Sequence, residues 1–195
     1  MVHTLVFRCA LCVFVLAAGP ASAADPALEE RVKAARAAVQ QLAGQLKGEL
    51  VGALESGGPV KAMEVCSVVA PQLAASVADS ARLSIGRTAL KVRNPGNRPD
   101  AFETQHLAAF AARLAAGEDV AKIDHAEIVT DAAGTRVFRY MKAIPMAEKP
   151  CAACHGSVIQ PDVKAQIDTL YPEDRAVGFA AGELRGAFTV SQKME

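Results

Sequence analysis

The residues best suited to chemistry in this chain are Cys151-Ala152-Ala153-Cys154-His155. Two thiols separated by two residues and followed at once by an imidazole form the pattern that attaches a c-type haem. The sulfurs add to the two vinyl groups, and the His ligates the iron on its proximal side. Two intervening residues let one short turn present both sulfurs along a porphyrin edge while directing His155 beneath the iron. A thioredoxin-like dithiol would open a helix after a strand and needs no His. A zinc clip would need four ligands, usually from a second Cys or His pair, and the sequence offers no such pair.

His155 fills one face of the iron, and the group on the other face decides the chemistry. The candidates are Met63, Cys66, His106, His125, Met141, Met146 and Met194. Met63 and Met141 fall at periodic apolar positions, where Met usually fills core space. Met146 is too close to the motif to cross the ring easily, and His106 and His125 read as exposed side chains on a helix and at a strand start. Cys66 has two independent reasons in its favour: it is predicted to face the core, and it is otherwise an unexplained thiol. From the residues alone, Cys66, an ordinary buried Cys and a five-coordinate iron all stay open.

The address of the chain bears on that thiol. Residues 1–23 read as a secretory signal: Arg8, an apolar run from Cys9 to Ala18, and the small-residue triplet Ala21-Ser22-Ala23, with cleavage after Ala23. The run is too short for a membrane span of about 20 residues, so the expectation is a soluble periplasmic protein with no stable membrane insertion. Cleavage removes Cys9 and Cys12 and leaves Cys66, Cys151 and Cys154. If two become thioethers, Cys66 is a lone thiol in an oxidising compartment, where it survives by burial or coordination. The chain has 21 Lys and Arg against 21 Asp and Glu, a balance that argues against nucleic acid as a partner.

The remaining residues, 24–195, are enough for a single domain. From Asp25 to about Leu54 the apolar residues Leu28, Val32, Ala35, Val39, Leu42 and Leu46 recur at helical spacing. This predicts a long amphipathic helix, capped by Asp25-Pro26 and stopped by Ser56-Gly57-Gly58-Pro59. Its near-heptad stripe is either a core face or a seam for a homodimer. A second helix from Val60 carries Met63 and Cys66 on one side, and Pro71 should kink it just beyond Cys66, leaving room for a large flat group.

A β-like run at 82–88 and a turn-rich stretch at 91–100 follow, then a helix from Pro99-Asp100 to Gly117. The segments 126–130 and 135–144 read as an antiparallel hairpin leading into the haem motif. A short helix at 161–170 and a strand at 184–190 close the chain. The fold class is α+β, an antiparallel sheet flanked by helices. Arg87, Lys91 and Arg93 are candidate partners for haem propionates, whose carboxylates suit guanidinium and ammonium groups.

Several dispersed stretches, taken together, resemble one family. They are Gly57-Gly58-Pro59, Ala62 to Cys66 leading to Ala70-Pro71, Gly86-Arg87-Thr88, Lys91-Val92-Arg93-Asn94-Pro95, Phe138-Arg139-Tyr140, the Cys-x-x-Cys-His box, and Tyr171-Pro172 through Arg185-Gly186-Ala187-Phe188. The family is the single-haem c-type family with a PAS-like fold, long catalogued as a domain of unknown function. The resemblance implies a PAS-like antiparallel sheet and one covalent haem c, with His155 and Cys66 as axial ligands. It also implies a redox or small-gas (CO or NO) sensor or a low-potential electron carrier, acting with a redox or signalling partner that the sequence does not identify. The competing expectation is a peroxidase-type enzyme, which would need an open iron face and His106 or His125 as the distal acid–base group.

Overall fold

The computed structural model describes residues 26–194; the signal segment 1–23 and the Asp25 cap lie outside the described residues. Helix α1 (Pro26–Glu64) begins the described chain and changes direction at Gly58, whose φ of 69° lies in the left-handed region. Gly takes that conformation without steric cost, and Pro59 then restarts the helix with a preset φ. The expected stop at 56–59 is therefore a break between two helical arms. One π-helical turn (Val65–Val69) joins α1 to α2 (Ala70–Ala81).

The kink expected beyond Cys66 takes the form of that turn, and it contains Cys66. Pro71 cannot donate to the carbonyl of Ser67, and its ring crowds that carbonyl. The wider turn answers this with a bond from the Ala70 amide to the Val65 carbonyl.

Strand β1 (Ser84–Thr88) follows α2, and Asp100 caps α3 (Ala101–Ala115) through a capping box with Glu103. Strands β2 (Asp124–Thr130) and β3 (Arg136–Pro145) form the expected hairpin. Helices α4 (Ala152–His155) and α5 (Pro161–Leu170) come next, and β4 (Leu184–Lys193) closes the described chain. The sheet order is β1-β4-β3-β2 with every pairing antiparallel, so β4 inserts between the first strand and the hairpin. This is the predicted α+β architecture.

Alternation along the strands covers both faces of the sheet. Phe138, Tyr140 and Val190 pack with Ala35 and Val39 of α1, while Met141, Ala143 and Ala187 pack with Leu107 and Phe110 of α3. Each large apolar side chain buried this way contributes on the order of 1.5–3 kcal/mol. Leu28 and Val32, half-buried, also pack under α1 against the sheet, so this stripe serves as a core face within the chain. One 18-residue window of the helical run Pro26–Ala81 reaches a mean hydropathy of 1.2, and 28% of that window is buried within the chain.

Candidate functional site

A cavity of about 500 Å³ lies where α1, the π-turn, β1, β4 and the segment 145–155 meet. Leu46, Leu50 and Leu54 recur every four residues along the first arm of α1 and face it. The break at Gly58 turns the second arm back, so that Met63 and Cys66 reach the same space. Phe188 and Ile144 complete an apolar wall.

The opposite wall carries the chemistry. Cys151, Cys154 and His155 all line the cavity. They are held on a single turn in which the His155 amide bonds the Cys151 carbonyl at 2.9 Å and the Gly156 amide bonds the Ala152 carbonyl at 3.0 Å. Gly156 has no alternative there, since a Cβ would come within 2.7 Å of the Ala152 carbonyl oxygen. The turn is then clamped from outside: the Phe179 amide donates to the His155 carbonyl at 3.0 Å, and Arg93 Nη2 donates to the Cys154 carbonyl at 2.7 Å.

His155 has a defined tautomer. Its Nδ1 lies 2.7 Å from the Ala176 carbonyl, which can only accept, so Nδ1 carries the proton and Nε2 keeps its lone pair. Burial pushes the pKa of His155 down to about 3, helped by the positive charges of Arg185, Arg93 and Arg87. The imidazole is thus neutral and a ready ligand. Burial, with Cys66 and Cys151 nearby, pushes the Cys154 thiol up, against the opposing pull of Arg93.

The basic residues separate into three situations. Arg93 is buried on the cavity wall and forms a two-pronged pair with Asp174 (3.1 and 3.0 Å), its Nη1 having no partner among the described residues. Arg87 lines the cavity. Lys91 lies outside it, exposed, with its ammonium 4.5 Å from the centre of the Phe179 ring. The sequence reading missed Arg185, which lines the cavity with a buried Nε that has no partner among the described residues. Burial pushes its pKa down to about 10, and Arg93 and Arg87 add to the fall.

Asp174, Ala176 and Phe179 were also missed. No local signal marks them, because each acts through a contact between segments distant in sequence.

Of the other axial candidates, Met63 lines the cavity, whereas Met141 and Met146 belong to separate core clusters and Met194 packs beside α1. His106 and His125 are not among the lining residues. The donor set fits a covalently held haem: two thiols for the vinyl groups, a neutral imidazole with a free Nε2, a third thiol on the wall, and crowded cations able to meet carboxylates.

Comparison with known proteins agrees with a haem as the bound group. The model of the family described as Tll0287-like matches residues 21–192. Among solved structures, the cyanobacterial heme-protein Tll0287 is similar, with a TM-score of 0.65 and 25% sequence identity over 88% of this chain and 98% of that chain. No curated protein matches.

Proposed function

Since the chain belongs to the Tll0287-like family, we propose that it is an exported single-haem c-type protein with His155 and Cys66 as axial ligands. In this reading it works as a redox or small-gas responsive protein or as a low-potential electron carrier. One observation carries the proposal: a neutral imidazole with a free Nε2 and the thiol of Cys66, from elements far apart in sequence, line the same cavity as Cys151 and Cys154. Similarity to a haem protein over nearly the whole chain supports it.

Bound haem supplies a one-electron iron couple and, where an axial position is vacated, a seat for a diatomic gas. The residues do the rest. The Ala176 carbonyl fixes the ring of His155 and raises the basicity of its free nitrogen. Cys66, held to the iron as a thiolate, would donate charge and favour the ferric state, lowering the potential relative to a Met ligand. Leu46, Leu50, Leu54 and Phe188 exclude water, and Arg87 and Arg185 provide counter-charge for carboxylates. Cys66 sits in a π-turn, where one residue of rewinding rotates a side chain by about 100°. A change in what Cys66 holds would thereby be coupled to the winding of the helix, which would give a partner something to detect.

Ferric spectra of the wild-type protein, Cys66→Ser and Met63→Leu, each produced with the haem-maturation machinery, test the proposal. The haem should resist acid–acetone extraction, and a low-spin thiolate spectrum should vanish in Cys66→Ser and persist in Met63→Leu. A spectrum lost in Met63→Leu and kept in Cys66→Ser would replace the thiol with the thioether. A high-spin spectrum shared by all three would favour an open iron face and the enzyme reading.

A further inference from the structure

Away from the cavity, α3 and β2 bring His106, His125 and Glu127 together, with one donor atom from each within 4.8 Å of the others. His125 and Glu127 are two apart on β2 and so share a face of the strand. His106 comes from α3, and its ring stacks on His125 with centroids 3.9 Å apart and planes 19° from parallel, so one ring has to turn about its Cβ–Cγ bond for both nitrogens to face a single ion.

Both Nε2 atoms point to the Glu127 carboxylate without bonding to it. The distances are 3.8 Å from His106 to Oε1 and 3.6 Å from His125 to Oε2, beyond hydrogen-bond length. The His125 Nε2 is buried and has no hydrogen-bond partner among the described residues. An orphaned buried nitrogen asks for a partner. A tetrahedral zinc ion with bonds of about 2.0–2.2 Å holds its donors about 3.3–3.6 Å apart, close to the two His–Glu127 distances found here.

The surroundings permit a cation. The nearby guanidinium of Arg139 is already paired, to Asp100 at 2.8 Å and Glu103 at 3.2 Å, and lies over Phe102 at 4.5 Å. The His106 side chain is 12% exposed, His125 33% and Glu127 44%, so an ion would enter from the Glu127 side and keep water ligands there.

We propose that His106, His125 and Glu127 form a binding site for a divalent transition-metal ion, separate from the haem cavity. Two imidazoles and one carboxylate select Zn(II) or Cu(II) over Mg(II) and Ca(II). The bound ion would clamp α3 to β2.

Titration of the metal-stripped, haem-loaded mature protein with Zn(II), followed by calorimetry, tests this and rests on the proposed haem, which occupies the three remaining thiols. Saturable binding at one ion per chain is expected, weakened at least about tenfold in His106→Gln and in His125→Gln, with no response to Mg(II). X-ray absorption at the zinc edge of the loaded wild-type protein should show imidazole scattering, a readout independent of whether a variant folds. Absence of saturable binding, equal affinity in the variants, or a zinc environment of water and carboxylate alone would overturn the proposal.

Discussion

Arg139 on β3 and Arg185 on β4 are partly buried cations on neighbouring strands, and the fold treats them differently. Arg139 is met by Asp100 and Glu103 and stacked on Phe102. Arg185 has no salt bridge among the described residues; its Nη1 reaches the Lys91 carbonyl at 3.5 Å, its guanidinium lies over Phe179 at 5.4 Å, and the opposing charges of Arg87 and Arg93 outweigh the pull of Asp174. Where the chain's own acids neutralise a cation, the arginine is scaffold. Where burial crowds cations together with fewer acids than charges, a ligand's carboxylates would supply the balance, and the cavity that holds Arg87 and Arg185 also holds the thiols and His155.

The strongest way to break this contrast is to remove the covalent anchors. Cys151→Ser with Cys154→Ser should abolish haem that survives denaturing electrophoresis, whereas Arg139→Met should leave its yield unchanged. Equal loss in both would show that the α3 side governs haem capture too.

Arg93→Ala should have the next largest effect. The Arg93–Asp174 pair is nearly fully buried, with side chains 6% and 5% exposed, so removing one partner should cost about 3–5 kcal/mol in urea unfolding. A cost below about 1 kcal/mol, the size of an exposed pair, would mean that the loop holding His155 is not tied down by this arginine.

Arg139→Met and Arg185→Met then sharpen the comparison directly. The first should cost about 1.5–3 kcal/mol of stability, the worth of hydrogen bonds to charged groups, with the haem spectrum unchanged. The second should move the haem midpoint potential, because a cation beside the haem is lost. Interchanged outcomes would sink the distinction between scaffold and ligand-facing arginines.

The smallest effect belongs to Asp100. Burial works against its charge, yet Arg139 and the amides of Glu103 and Phe102 outweigh this and hold the carboxyl below its usual 3.8. Its stabilising contribution is therefore full above about pH 4 and is lost as pH falls through the lowered folded-state value. Asp100→Ala should cost about 1 kcal/mol at neutral pH as a lost helix cap. Asp100→Asn should flatten the acid limb of stability measured by urea unfolding, and an unchanged limb would contradict the assignment.

Local patterns were legible in this chain because local physics produces them. The helix expected at 161–170 forms with those bounds, since Pro161 starts it and its apolar residues keep helical spacing. The turn at 131–134 forms because the Asp131 carboxylate accepts from the Ala133 and Thr135 amides and Gly134 takes a φ of 81°. The break around Pro71 was anticipated, but not its form. Whether a helix answers a missing donor by bending or by widening depends on what packs around it.

The sequence by itself determined the Cys-x-x-Cys-His turn, the sheet-forming segments and the three thiols of the described chain, because these rest on residues adjacent in the chain. Only the tertiary structure decided which groups would meet. It brought Cys66 to the cavity through the reversal at Gly58 and set Arg185 there through the pairing of β4 between β1 and β3. It also left Lys91 outside and gathered His106, His125 and Glu127 beside one another. Such encounters are fixed by how helices and strands pack, and no spacing along the chain encodes them.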